Sequence, residues 1–138
     1  IANKKVMSLS DQFCVERHKS HFFDLVKNKL DIVFANEEEI KSLISTKNFE
    51  EVVNFGKQLK KLLVITRGAE GSIAITDNKV IECKSDENLK IVDLTGAGDL
   101  FAAGFLHGYI NNFSIKDSLL KGTEMSSKII QKIGARLN

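Results

Sequence analysis

Apolar residues cluster along the chain in two ways, and each way predicts a different kind of element. Compact apolar runs that end at turn residues are typical of buried strands. Runs of this kind, together with shorter strand-like stretches, occupy residues 6–9, 32–35, 62–66, 72–76 and 79–83. Because only Asp77-Asn78 separates the last two, these two are predicted to form a hairpin.

Between these runs, apolar residues recur at the helical period. The periodic stretches predict helices at residues 11–29, 37–45, 49–60, 100–110 and 115–132. Asp11 and Asn36 stand where the first two helices would take an N-cap. The helix at 100–110 is apolar nearly all round, which predicts that it is buried. Strands and helices alternate as in βαβ units, so the sequence predicts an α/β fold whose mainly parallel sheet is sandwiched between helices.

Composition narrows the class of protein. The 138 residues are one domain's worth of chain, 43% hydrophobic and 28% charged, which is typical of a soluble globular protein. A net charge of +2, from 20 basic and 18 acidic residues, argues against a nucleic-acid binder. No apolar run approaches the ~20 residues that span a bilayer, and no secretory leader is expected. No membrane association is expected, and a cytoplasmic location is predicted.

The cysteines and histidines show no metal-ligand spacing. Cys14 and Cys83 lie far apart among apolar neighbours, which predicts buried free thiols in a reducing compartment. His18, His21 and His107 are predicted to lie at the surface or at the edge of the core.

Residues 92–101, V-D-L-T-G-A-G-D-L-F, carry the candidate chemistry, at the join between a strand and the apolar helix. The small residues Gly96, Ala97 and Gly98 let a ligand approach the backbone closely. The first amides of the following helix lack intrahelical acceptors and would meet a phosphate with several N–H donors. Asp99 would lie beside that phosphate, where a carboxylate is repulsive unless it accepts a proton from an attacking hydroxyl.

The alternative is a glycine-rich turn followed by an acidic residue that merely caps the helix. The segment does not match the dinucleotide-binding pattern G-x-G-x-x-G, and the chain has no G-x-x-x-x-G-K-[ST] motif. These two standard nucleotide signatures are therefore excluded. A dinucleotide-dependent oxidoreductase would fit the fold class, but it lacks its glycine fingerprint here.

Residues 92–105, V-D-L-T-G-A-G-D-L-F-A-A-G-F, resemble the second signature of the ribokinase-like (PfkB) carbohydrate kinases, D-T-x-G-A-G-D. Residues 34–39, F-A-N-E-E-E, are similar to the N-x-x-E element of that family. Residues 64–72, V-I-T-R-G-A-E-G-S, are similar to its T-x-G-x-x-G nucleotide strand and loop. The three elements occur in the family's order. Residues 8–14, the stretch F-A-N-E-E-E and the terminal G-A-R also resemble the adenosine-kinase-like branch.

The resemblance implies a ribokinase-like fold, a three-layer α/β/α sandwich with a Rossmann-like sheet. Residues 1–138 would be its ATP-binding C-terminal portion, with the N-terminal substrate and lid half absent. The implied activity is ATP-dependent transfer of the γ-phosphoryl group to a hydroxyl of a sugar or nucleoside. Asp99 would be the general base. The amides of Gly96, Ala97 and Gly98 would form the anion hole.

The resemblance also implies residues for ATP and its ions. Thr66, Gly68 and Gly71 would contact the nucleotide, although a strand end and a hairpin explain them as well. Ser126 and Ser127 would flank the adenine, although small residues at a helix-packing seam explain them equally.

Asn36 and Glu39 would organise Mg²⁺, largely through water, while Glu37 and Glu38 are expected to be ordinary acids of a helix N-terminus. A monovalent cation such as K⁺ is a further candidate, at positions matching Asp93, Thr95 and Gly134. Leu94 departs from the Thr that is common in the family signature, which weakens this cation site.

The main rival function is a non-catalytic, nucleotide-binding or self-associating fragment. If the other half is missing, the sheet edge near Ile1 should be apolar and unpaired, and copies of the chain would associate there. The expected partners are ATP, a small sugar or nucleoside, and in that case a second copy of the chain.

Overall fold

The computed structural model describes residues 4–9, 12–59, 61–84 and 97–137, without the side chains of residues 12–14, 69, 97–99 and 127–137. In that part of the chain the strands are β1 (Val6–Ser8), β2 (Ile32–Asn36), β3 (Leu62–Thr66), β4 (Ser72–Thr76) and β5 (Lys79–Cys83). The α-helices are α1 (Gln12–Arg17), α2 (Lys19–Asp24), α3 (Glu37–Leu43), α4 (Phe49–Leu59), α5 (Ala97–Ile110) and α6 (Ile115–Leu137).

The strands form one sheet in the order β1-β2-β3-β4-β5. β1 pairs with β2 and β2 with β3, both in parallel. The connections from β3 to β4 and from β4 to β5 are too short for a crossover, so these neighbours run antiparallel. Four of the five described strands therefore point the same way, and the prediction of a mainly parallel sheet is confirmed. The predicted hairpin turns at Asp77 and Asn78, with φ of 48° and 68°, the positive values that tight hairpins prefer.

Contacts within the chain divide it into two compact units. The first comprises residues 1–66 and 73–81, and the second comprises residues 67–72 and 82–138. The core of the first unit forms where the apolar runs of β2 and β3 meet the apolar faces of the helices. Val33, Leu63 and Ile65 are fully buried there, together with Ile40 of α3 and Val52 of α4.

The predicted helix at residues 11–29 is wrong as a single element. It breaks between α1 and α2 at His18, whose φ and ψ are −121° and 34°, with no side-chain cap to account for the break. After α2 the chain continues as a π turn, Leu25–Lys29. Val26 inside this turn and Leu30 directly after it are both buried. The predicted N-cap Asp11 and the side chain of Cys14 lie outside the described residues.

The apolar composition of α5 predicted a helix that is buried nearly all round, and this prediction is wrong. Phe101 and Phe105 are buried, but His107 is exposed and Ile110 is 55% exposed. The reason is that α5 packs one face closely against α6. A Cβ added at Gly104 would lie only 2.7 Å from the carbonyl oxygen of Lys121.

α6 continues to Leu137, five residues beyond its predicted end. One glycine inside a helix costs only about 1 kcal/mol, which is too little to end it at Gly134. No helix in the described ranges has the length and apolar character needed to cross a membrane.

Two smaller predictions are confirmed. Cys83 is a buried free thiol. The side chains of His18, His21 and His107 are exposed.

Candidate functional site

Asn36 and Thr66 end two neighbouring parallel strands and face each other directly. The register pairs Asn36 of β2 with Thr66 of β3. Ligands of open α/β sheets bind outside the carboxyl ends of parallel strands. The structure thus brings together, at the edge where such ligands bind, two residues that the sequence resemblance assigned to Mg²⁺ and to the nucleotide.

The first turn of α3 is closed by its own side chains. Asn36 Oδ1 accepts a hydrogen bond from the Glu39 amide at 2.7 Å, and the Asn36 amide donates to Glu39 Oε1 at 2.9 Å. This reciprocal pair is a capping box, and it satisfies two backbone donors of the helix start. Glu39 is only 6% exposed, whereas Asn36 is exposed. A structural role therefore exists for both residues of the N-x-x-E element.

The donor set at this position fits Mg²⁺ only with the help of water. Mg²⁺ usually keeps several waters and is bound through one or two carboxylates together with substrate phosphates. Glu39 supplies one carboxylate and Asn36 one exposed amide, and both side chains are already engaged in the capping box. Across the described ranges there is no group of three or more His, Cys, Asp or Glu side chains that could hold a metal ion.

Glu37 and Glu38, the two acids between these residues, differ in their surroundings. Glu37 Oε2 lies 3.1 Å from Lys41 Nζ, one helical turn along α3. Glu38 is exposed. Acids in the first turn of a helix interact favourably with its dipole, which agrees with the expectation that both are ordinary helix acids.

The loop after β3 is short, and a backbone hydrogen bond closes it. The Arg67 amide donates to the Gly71 carbonyl at 2.7 Å, which joins the two ends of the loop. A 3-10 turn, Gly68–Glu70, lies between them. Gly68 has φ of 58° and Gly71 has φ of 98° with ψ of −139°. Residues with a Cβ rarely adopt the conformation of Gly71, so the second glycine of the T-x-G-x-x-G element is required by the backbone itself.

The Gly-Ala-Gly-Asp signature leads directly into α5. Ala97, Gly98 and Asp99 are the first three residues of that helix. Gly96 lies outside the described residues, as does the side chain of Asp99. Asp93 and Thr95, two of the residues assigned to a monovalent cation, lie outside them too.

The remaining predicted residues are on α6. Ser126 is half-buried, and its hydroxyl donates to the Thr123 carbonyl at 3.1 Å. The seam between α5 and α6 runs through Gly122, where an added Cβ would lie 2.8 Å from the Phe101 carbonyl oxygen. The side chain of Ser127 lies outside the described residues. Gly134 is in the last turn of α6, where carbonyl groups have no intrahelical donor.

The predicted residues fall into two groups. Asn36, Glu39 and Thr66 belong to the first compact unit. The loop that carries Gly68 and Gly71 belongs to the second, together with α5 and α6.

One feature of the loop was missed by the sequence reasoning. Arg67 and Glu70 form an ion pair, with Nη2 and Oε2 2.9 Å apart. The available signal was their opposite charge at a spacing of three residues within a predicted turn.

Comparison with known proteins identifies the fold of the chain. The crystal structure of a probable sugar kinase from Rhizobium etli CFN 42 is 38% identical, with a TM-score of 0.86 over 93% of this chain and 39% of that one. The adenosine kinase from Sinorhizobium meliloti is 34% identical, with a TM-score of 0.87 over 94% of this chain and 40% of that one. The chain therefore has the ribokinase-like α/β fold that its sequence predicted.

A curated relative, adenosine kinase 2 from Arabidopsis thaliana, is 32% identical. The alignment runs over 156 positions and covers 96% of this chain and 43% of the relative. The chain thus spans about two fifths of the length of the proteins it resembles. The sequence pattern of the pfkB family carbohydrate kinases matches residues 2–138. The chain belongs to the pfkB family of carbohydrate kinases, among whose members it is similar to adenosine kinases.

Proposed function

We propose that the protein to which this chain belongs is an ATP-dependent phosphotransferase that transfers the γ-phosphoryl group to a hydroxyl of a sugar or nucleoside. The observation that carries the proposal is the position of the Gly-Ala-Gly-Asp signature at the start of α5. Family membership supports a kinase in general. The similarity to adenosine kinases and to a probable sugar kinase supports an acceptor of one of these two classes.

The phosphoryl group would be held by backbone amides. The amides of Gly96, Ala97 and Gly98 form the proposed anion hole, at the positive end of the dipole of α5. Each donor of this kind can contribute ~3 kcal/mol to stabilising the transition state. The glycines leave the backbone accessible, so the phosphate can reach the amides without meeting a side chain.

Asp99 would act as the general base. Its carboxylate accepts the proton of the acceptor hydroxyl, and the acceptor oxygen forms a bond to the γ-phosphorus. The bond between that phosphorus and the β,γ-bridging oxygen breaks, and ADP leaves with the electron pair. General-base catalysis of this kind contributes about 10²–10⁴-fold to the rate.

The other predicted residues would bind ATP and its ions. Thr66, Gly68 and Gly71 contact the nucleotide in this proposal, while Ser126 and Ser127 flank the adenine. Asn36 and Glu39 hold Mg²⁺ through water, and the metal neutralises charge on the β- and γ-phosphates. A monovalent cation such as K⁺ is proposed at Asp93, Thr95 and Gly134, where main-chain carbonyls can be ligands. A cytoplasmic location is proposed on the free thiol of Cys83.

ATP binding by the 138-residue chain tests the first step of the proposal. Thermal melting with and without Mg²⁺ and ATP should show a shift, because a ligand at one hundred times its Kd stabilises the folded state by about 2.7 kcal/mol. Absence of a shift at millimolar ATP would contradict the nucleotide site. Phosphoryl transfer to adenosine and to ribose by the full-length protein then tests catalysis.

The exposed edge of the described sheet favours a second candidate, a non-catalytic nucleotide-binding or self-associating fragment. β1 is the outermost strand on one side of the described sheet, and Val6 on it is 40% exposed. Outermost strands that are not protected pair with other chains. A full-length protein that binds ATP without any phosphoryl transfer would support this candidate over the kinase.

Sedimentation of the 138-residue chain tests self-association directly. A dimer that forms with rising concentration is expected, and Val6→Lys should suppress it because an edge lysine opposes pairing. The matched control is Val80→Lys on β5, the outermost strand on the other side, where Val80 is 37% exposed. A strictly monomeric chain, or equal suppression by both variants, would contradict association through β1.

A further inference from the structure

The Arg67–Glu70 ion pair lies in the loop that is proposed to receive the nucleotide, yet none of the roles above uses it. We propose that this pair positions the loop, holding it in the shape in which Gly68 and Gly71 present their backbone to ATP. The inference rests on the proposed function, because it adds two positioning residues to the same nucleotide site.

The ion pair joins two residues that a backbone hydrogen bond already connects. The Glu70 amide donates to the Arg67 carbonyl at 3.1 Å, and the Gly71 amide donates to the Gly68 carbonyl at 3.1 Å. In a 3-10 turn the side chains at positions i and i+3 lie over one another. The 2.9 Å contact between the Arg67 and Glu70 side chains therefore joins the same two residues a second time.

The surroundings of the loop explain why such a bond matters. Gly68 is exposed, and within the described ranges no atom outside its immediate chain neighbours comes within 4 Å of the place where its Cβ would be. Packing against Gly68 thus does not fix the positive φ of the turn, and the bonds within the loop must contribute more of that restraint. The same open space allows a ligand to approach the backbone at Gly68.

The charges of the pair add a second reason. The Glu70 side chain is 67% exposed and that of Arg67 is 25% exposed. A carboxylate without its cation in this loop would repel the triphosphate of ATP, whereas the paired loop is close to neutral. Removing Arg67 should therefore weaken nucleotide binding through both shape and charge. Removing the Glu70 carboxylate loosens the conformation of the loop, which weakens ATP binding, but it leaves the Arg67 cation, which attracts phosphate. We infer that the loosened conformation has the larger effect on ATP affinity.

Calorimetric measurement of the Kd for ATP with Mg²⁺, using the 138-residue chain, tests the inference. Arg67→Gln and Glu70→Gln should each raise the Kd by about 2- to 5-fold, the range expected for an exposed ion pair. The exchanged pair, Arg67→Glu with Glu70→Arg, should return the Kd to within about 2-fold of the original. Melting temperatures without nucleotide should stay unchanged, which separates positioning of the loop from general stability.

The control is Asp24→Asn, which removes an exposed ion pair elsewhere, between Asp24 and Lys29 at 3.6 Å. Its Kd for ATP should equal that of the original chain. Hydrogen exchange at the amides of Glu70 and Gly71 provides a readout without nucleotide, and it should be faster in Glu70→Gln.

Two results would overturn the inference while leaving the nucleotide site intact. One is an unchanged Kd in both single variants. The other is tighter ATP binding by Glu70→Gln, which would mean that charge alone, and not shape, links the pair to the nucleotide. If the original chain binds no ATP, the proposed function fails first and the positioning role with it, while the exchange data still report on the loop.

Discussion

The N-termini of α3 and α5 both follow residues of a family signature, but they are built differently. α3 begins after Asn36, whose side chain and that of Glu39 satisfy the backbone donors of the first turn in a capping box. α5 begins at Ala97, and the residue before it in the sequence is Gly96, which has no side-chain oxygen to offer. One helix start is closed by its own side chains. The other is proposed to leave its first amides for an external acceptor.

If the proposed anion hole holds, one helix start serves the stability of the fold and the other serves ligand binding. Capping at α3 stabilises the folded protein whether or not a ligand is present. The small residues at the start of α5 offer no comparable side-chain cap. An anion bound there would stabilise the helix start through its negative charge, but only in the bound state. Mutations at the start of α3 should therefore lower the free energy of unfolding, whereas mutations at the start of α5 should lower ligand binding or turnover.

The largest effect is expected at Asp99. In the full-length protein, if the proposed function holds, Asp99→Asn should lower kcat by about 10²–10⁴-fold, because Asn cannot accept the proton of the acceptor hydroxyl. ATP affinity should be nearly unchanged or slightly tighter, since a negative charge near the γ-phosphate is removed. Steady-state kinetics and ATP calorimetry measure the two quantities. Near-normal turnover would mean that Asp99 is only a helix cap, and the two helix starts would then be alike.

Gly98 should show a smaller effect that appears in both assays. Gly98→Val places a branched side chain where the phosphate approaches the backbone. Valine keeps its backbone amide, but its side chain would keep the phosphate away from it. Because losing access to one donor of this type lowers kcat by about 10²–10³-fold, we expect a loss near the lower limit together with weaker ATP binding. Gly98→Ala is the graded control, with an intermediate loss. Equal activity of all three proteins would show that no ligand approaches closely here.

The smallest effect concerns Asn36. Asn36→Ala removes the acceptor for the Glu39 amide and should lower the free energy of unfolding by about 1 kcal/mol, measured in urea. Asn36→Ser keeps a capping oxygen and should lose little. If Asn36 also helps to hold Mg²⁺, Asn36→Ser should raise the Mg²⁺ concentration needed for half-maximal activity. Equal stability of the two variants would contradict the capping box, and an unchanged Mg²⁺ requirement in Asn36→Ser would contradict the metal role.

The strands were predictable because their information is local. Ile32–Asn36 and Leu62–Thr66 are apolar runs of strand length, and Asp77 with Asn78 suits the positive φ of a hairpin turn. The break at His18 was not predictable, since buried residues continue at helical spacing across it and no capping side chain marks it.

The candidate site was predictable only in part. The patterns N-x-x-E and T-x-G-x-x-G indicated the start of α3 and the loop after β3 as candidates, but the pairing of Asn36 with Thr66 depends on the register of two strands thirty residues apart in sequence. The exposed face of α5 could not be foreseen either. Which side of an apolar helix is covered depends on where its partner helix crosses.

The crossing of α5 and α6 has a mechanical consequence for the signature that starts α5. At Gly104 and at Gly122 each helix lies against main-chain atoms of the other, because the nearest groups include the carbonyl oxygens of Lys121 and Phe101. Main-chain atoms cannot change rotamer to absorb a sliding motion, as side chains at a looser seam would. The two helices should therefore move together as one rigid pair, and any shift of Ala97, Gly98 and Asp99 at the start of α5 would carry α6 with it.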